Sequence, residues 1–123
     1  MRSMLTTAAG GLILAALLAA QPAQAQFGAI AYDGKTGCWS MSLNKPTPQA
    51  ALTSALRECG ASGCRVVIRL RPRVCGAVAS SGKPRGFGAS ARSSLEEARR
   101  AALADCNKAN AGECVVKASS CNR

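Results

Sequence analysis

The chain has 123 residues, a length typical of one domain, and a formal net charge of +10 at pH 7 from 16 Lys and Arg against 6 Asp and Glu. It contains no His, which excludes Ser-His-Asp and Cys-His catalysis and removes the commonest metal ligand. Its aromatic residues are one Trp, one Tyr and two Phe, too few for a platform on which the bases of single-stranded nucleic acid would stack.

The N-terminal segment has the features of a signal peptide. Arg2 gives a positive start, residues 11–20 (GLILAALLAA) form an apolar run, and Ala23 and Ala25 match an A-x-A cleavage site. A membrane anchor is the alternative, but the run is about half the ~20 residues that a spanning helix needs. We therefore predict a signal peptide over residues 1–25, cleavage between Ala25 and Gln26, no membrane span in the mature chain, and a periplasmic or extracellular location.

The elements that follow are predicted from turn and capping residues. Asp33-Gly34 marks a hairpin turn after a short apolar segment, because Gly adopts a positive φ at little cost. Thr47 is a helix N-cap with Pro48 in the first helical position, and Gly60 is a typical helix end. The predicted order is a strand at 28–32, a strand at about 38–43, a helix from Thr47 to Gly60 and a strand at about 64–71.

The same unit then occurs a second time. Residues 28–75 align with 76–121, and Ser94 with Glu97 forms a capping box at the start of the second helix. A strand follows that helix at about 113–119. Residues 26–123 are thus predicted to be a single Cys-rich α+β domain of two tandem β-β-α-β repeats. We expect a mostly antiparallel sheet with both helices on one face, stabilised by disulfides.

Five positions recur at matching places in the two repeats. They are Ala51, Leu56, Cys59, Cys64 and Cys75 in the first and Ala98, Leu103, Cys106, Cys114 and Cys121 in the second. This pattern, over residues 28–121, resembles the bacterial domain-of-unknown-function family 4189, whose members are small exported proteins with this duplicated unit. The resemblance implies the fold and export, and it implies no activity.

All 7 Cys lie after the predicted cleavage site, which indicates a disulfide framework in an exported chain. Positions in the repeat suggest the pairs Cys59–Cys64, Cys106–Cys114 and Cys75–Cys121, although six Cys permit about 15 connectivities. Cys38 is left over, either as a reactive or intermolecular thiol or as a buried one. The Cys spacings are wider than in most zinc sites, so we expect no metal.

Residues 65–74 (RVVIRLRPRV) give the clearest functional indication. Alternation along a strand predicts a row of arginines on one face, about 7 Å apart, and a Gly-rich turn with two further cations extends it. The predicted anion- or partner-binding residues are Arg65, Arg69, Arg71, Arg73, Lys83 and Arg85. Pro72 places the end of this strand near residue 71 or the strand at a sheet edge. Edge protection and solubility are the alternative explanation for these charges.

The favoured function is a non-enzymatic, exported binding module. Its expected partner is an anionic envelope or extracellular polymer, or an acidic protein, because guanidinium groups bind phosphates and carboxylates. Export excludes intracellular nucleic acid. No catalytic residue and no cofactor is predicted, since Gly34-Lys35-Thr36 does not have the spacing of a nucleotide-binding loop. The alternative is a small exported hydrolase that uses Glu58 and Asp105, which occupy equivalent helix positions and could approach each other.

Overall fold

A computed structural model describes residues 24–83, 85–110 and 113–123. The predicted signal peptide lies outside these residues except for its last two. Within the described part of the chain, no helix is long and apolar enough to cross a membrane.

The described residues form eight elements in the predicted order. They are β1 (Phe27–Tyr32), β2 (Trp39–Lys45), α1 (Pro48–Cys59), β3 (Arg65–Leu70), β4 (Cys75–Ser80), β5 (Phe87–Arg92), α2 (Leu95–Asn110) and β6 (Val115–Cys121). The Thr47 side chain accepts a hydrogen bond from the Ala50 N–H at 3.0 Å, and Gly60 ends α1 with a φ of 79°. The α+β class and the duplicated β-β-α-β unit are confirmed.

Each repeat forms its own three-stranded antiparallel sheet, with its first strand in the centre. The strand orders are β2-β1-β3 and β5-β4-β6. The two sheets pack face to face around Ile30, Leu70 and Val78, all of which are buried. Alternate residues of β1, Ala29 and Ala31, face the other way and pack against α1.

The arrangement therefore has four layers, helix-sheet-sheet-helix, where the sequence predicts one sheet with both helices on one face. The physical reason is that both faces of each central strand are apolar, so each needs a covering layer. The helix-facing residues are small, which lets the helices lie close to the sheets. At Gly88, an added Cβ would lie 2.2 Å from the carbonyl oxygen of Ala102, which shows how closely α2 approaches β5.

Three disulfides join the ends of these elements. Cys59–Cys64 and Cys106–Cys114 each connect the C-terminal part of a helix to the segment before the next strand, and Cys75–Cys121 joins β4 to β6. These are the pairs that the repeat suggests. Cys38 is a free, exposed thiol.

Candidate anion-binding site

A β-bulge in β3 divides the predicted arginine row. Ile30 of β1 pairs with Ile68 and the next residue, Ala31, pairs with Val66, so Val67 has no partner on β1. As a result Arg65 lies opposite Tyr32, whereas Arg69 lies opposite Ala29. A bulge inserts one residue and so changes the face on which later side chains lie.

Arg65 and Arg69 therefore lie on opposite faces of the first sheet. Directly paired residues share a face, and the two β1 partners face different layers. The ring of Tyr32 stacks on Phe87 of the second sheet, with ring centroids 3.9 Å apart. Ala29 packs against α1 instead. The structure does not bring these two arginines into one row.

Arg71 and Arg73 lie beyond β3, in the turn that connects the two repeats. The Val74 N–H donates to the Arg71 carbonyl at 3.2 Å, which closes a four-residue turn. Pro72 is its second residue and Arg73, with a φ of 66°, its third, the pattern of a type II turn. The strand ends at Leu70, close to the predicted end at residue 71. Both arginines are exposed.

Lys83 and Arg85 are at the opposite end of the sandwich from this turn. They belong to the β4–β5 connection, which leads into Phe87 and therefore lies at the end where the Tyr32 ring stacks. Arg65, the partner of Tyr32, is at that same end. The six predicted binding residues are thus separated into two ends and two faces of the sandwich.

A hydrogen-bonded cluster around Asn122 organises the end that holds Arg71 and Arg73. The Asn122 side chain accepts from the Asn44 N–H at 2.9 Å and donates to the carbonyls of Leu70 at 3.2 Å and Arg71 at 3.0 Å. The Asn122 N–H donates to Val74, and the Arg123 N–H donates to the Asn44 side chain at 2.8 Å. Asn122 is only 4% exposed, so the bonds of its side chain are at least partly protected from water, whereas the bond from Arg123 to Asn44 is exposed. We call this cluster the Asn122 clamp.

Five cationic residues have their backbones in or beside the Asn122 clamp, at one end of the sandwich, and we call them the basic end. Arg71 and Arg123 belong to the clamp, and Lys45 and Arg73 each adjoin a clamp residue in the chain. Arg92 pairs with Cys75, the residue after Val74. The four arginines are exposed and the lysine is partly exposed. They are Lys45, Arg71, Arg73, Arg92 and Arg123. Three of them, Lys45, Arg92 and Arg123, are not among the residues predicted from sequence.

The acidic residues nearest to the basic end in sequence are in the first turn of α2. Glu96 is paired with Arg100 at 3.1 Å, one turn further along the same helix, and Glu97 is exposed. Carboxylates in a first helical turn also interact favourably with the helix dipole. None of the five basic-end residues forms an ion pair with a carboxylate among the described residues.

The structure does not bring the carboxylates of the alternative hydrolase together. Glu58 is on α1 and Asp105 on α2, and both sheets lie between the two helices. The Glu58 carboxylate accepts from the Ser54 hydroxyl at 3.1 Å, and Asp105 accepts from the Ala89 N–H at 3.2 Å. Among the described residues there is no group of three acidic or Cys side chains that could hold a metal ion.

Asp33 is a buried carboxylate, and it serves the loop in which it lies. It accepts from the Lys35 N–H at 2.9 Å and from the Thr36 hydroxyl at 3.0 Å. The bond from Lys35 is the main reason why the pKa of Asp33 is lowered from its usual value of 3.8, against the opposing effect of burial. It borders a cleft of about 650 Å³ that also contains Lys35 and Arg65. A carboxylate whose pKa is lowered in this way is ionised at neutral pH and is poorly suited to donate a proton there.

The fold, the three disulfides and the basic end define a small disulfide-stabilised α+β domain with one strongly cationic end. The chain belongs to the family described as Domain of unknown function (DUF4189), whose model matches residues 27–121. The family resemblance predicted from the Cys and Ala-Leu pattern is thereby confirmed.

Two mycobacterial proteins are similar to part of this chain. Protein Rv1269c of Mycobacterium tuberculosis and Protein Mb1300c of Mycobacterium bovis are each 44% identical to this chain over 55 residues, which is 45% of this chain and 42% of theirs. The chain thus spans less than half the length of these relatives. The NMR structure of Rv1813c from Mycobacterium tuberculosis has a TM-score of 0.57 at 22% identity, covering 99% of this chain and 98% of the other. That similarity supports the fold alone.

Proposed function

We propose that the protein is an exported, non-enzymatic binding module that contacts an anionic polymer through the basic end. The observation that carries this proposal is that five cationic residues lie in or directly beside the buried Asn122 clamp, at one end of the sandwich. Disulfides persist in oxidising compartments, so the three disulfides support export.

The rigidity of the clamp favours binding over simple solubility as the role of these charges. Hydrogen bonds hold the backbones of Arg71 and Arg123 in place, so less conformational entropy is lost when an anion binds. Guanidinium groups bind phosphate or carboxylate oxygens in pairs, and several such groups on one frame suit a ligand with repeated negative charges.

The test compares two triple variants that remove equal charge. Arg71→Gln, Arg73→Gln and Arg92→Gln together alter the basic end. Lys35→Gln, Lys83→Gln and Arg85→Gln together alter the opposite end. Retention on immobilised polyphosphate is measured across a salt gradient, because binding that releases counterions weakens steeply with salt.

We expect the protein and the opposite-end variant to elute at similar salt, and the basic-end variant to elute at much lower salt. Equal losses in the two variants would mean that net charge alone causes retention, and would refute a specific site. If the protein is not retained on polyphosphate but binds an acidic protein, the proposal of a polymer ligand is wrong and an acidic protein partner is favoured.

A further inference from the structure

A small apolar pocket lies where α1 begins, between this helix and the edge of the first sheet. Its volume is about 190 Å³, and its apolar lining includes Phe27, Leu52 and Leu70. Gly28 and Pro48 also line the pocket, and neither contributes a charged group. An apolar cavity of about 150 Å³ is large enough to hold benzene. The pocket therefore has room for an apolar group of about six to eight carbon atoms.

Two cationic residues also line this pocket. Arg69 and Arg71 both border it, and the β-bulge at Val67 is what places Arg69 on the α1 face of the sheet. The first turn of α1 contains no acidic residue, so no carboxylate of that turn neutralises the two guanidinium groups. The N–H groups at the start of α1 add a partial positive charge beside Pro48.

We propose that this pocket binds an amphipathic carboxylate, a medium-chain fatty acid anion. Its alkyl chain fills the space beside Leu52 and Leu70, and its carboxylate is held at the rim by Arg69 and Arg71. The charge of the rim selects an anion, and the apolar lining selects one with a hydrocarbon tail. This site is separate from the proposed polymer binding, although Arg71 borders both.

Titration of the oxidised protein with butanoate, hexanoate, octanoate and decanoate, followed by NMR, tests this assignment. Each added methylene that enters the pocket should raise the affinity about fourfold. The gain should stop near eight carbons, when the pocket is full. The amide signals of Leu52 and Leu70 should shift, and octanol, which lacks the carboxylate, should bind about tenfold or more weakly than octanoate.

Arg69→Gln and Arg65→Gln form a matched pair of variants for this test. Both remove one charge from the same strand, but only Arg69 borders the pocket. We expect Arg69→Gln to weaken octanoate binding about tenfold or more, with little change for Arg65→Gln. Both variants should still be retained on polyphosphate, which separates this site from the polymer proposal.

Three results would overturn the assignment. One is affinity that does not depend on chain length, since the hydrocarbon would then lie outside the pocket. Another is an equal loss of binding in the two variants. The third is the absence of any shift at Leu52 and Leu70 with millimolar octanoate while polyphosphate still binds.

Discussion

Replacing Asn122 with Ala is expected to destabilise the domain strongly, because this one side chain links the two repeats. The substitution removes three hydrogen bonds, from the Asn44 N–H and to the carbonyls of Leu70 and Arg71. Each bond contributes about 1 kcal/mol net, and buried groups left without a partner add to the loss. We expect the free energy of unfolding to fall by about 3 kcal/mol, a large fraction of the 5–15 kcal/mol typical of a domain.

The assay is thermal and guanidinium unfolding of the oxidised protein, followed by far-UV circular dichroism. For a domain of this size, a loss of about 3 kcal/mol lowers Tm by roughly 12–24 °C. Asn107→Ala is the matched control, because Asn107 is exposed on α2 and Ala favours helix. If Asn122→Ala costs no more than this control, the clamp does not hold the repeats together as described.

Three further perturbations test the packing, the Asp33 loop and the disulfides. Gly88→Ala should cost about 3 kcal/mol or more in guanidinium unfolding, since its Cβ would meet the backbone of α2, whereas Gly34→Ala should be nearly neutral. Because the pKa of Asp33 is lowered on folding, its stabilisation is present at neutral pH and lost as pH falls through that pKa. The stability advantage over Asp33→Asn should therefore shrink as the pH falls below about 5, and a constant difference would contradict this. Excess reductant should unfold the protein, since the three disulfides contribute about 9 kcal/mol in the chain-entropy model, and an unchanged melting curve would argue against this.

The repeat was the most informative feature of the sequence for the fold. Capping residues such as Thr47 and Gly60 act locally, so the helix boundaries could be predicted without knowledge of the tertiary structure. Cys59–Cys64 and Cys106–Cys114 are each close in sequence and occupy equivalent positions in the two repeats. These two disulfides could therefore also be suggested without knowledge of the tertiary structure. The choice between one sheet and two depends on which layers cover both apolar faces of β1 and β4, and that is a tertiary property.

The site was harder to predict because it depends on pairing between distant segments. The bulge at Val67 exists only relative to β1, and it separates Arg65 from Arg69 although alternation predicts one face. Lys45 and Arg123 lie far apart in the chain and come to the same end of the sandwich because Asn122 bonds to Asn44, 78 residues away. Arg92 is brought to that end by its pairing with Cys75. The sequence showed that the segment containing Arg71 and Arg73 is cationic, but it did not show which distant residues lie beside this segment in the fold.

Mapping a defined polyphosphate onto the protein by NMR tests the central claim most directly. We predict that the largest amide shifts fall at Arg71, Arg73 and Val74, at Arg92, and at Asn122 and Arg123, and that about 0.5 M salt abolishes them. Shifts that are largest at residues 33–38 and 81–86, or that are spread evenly over all exposed cations, would contradict a binding site at the basic end.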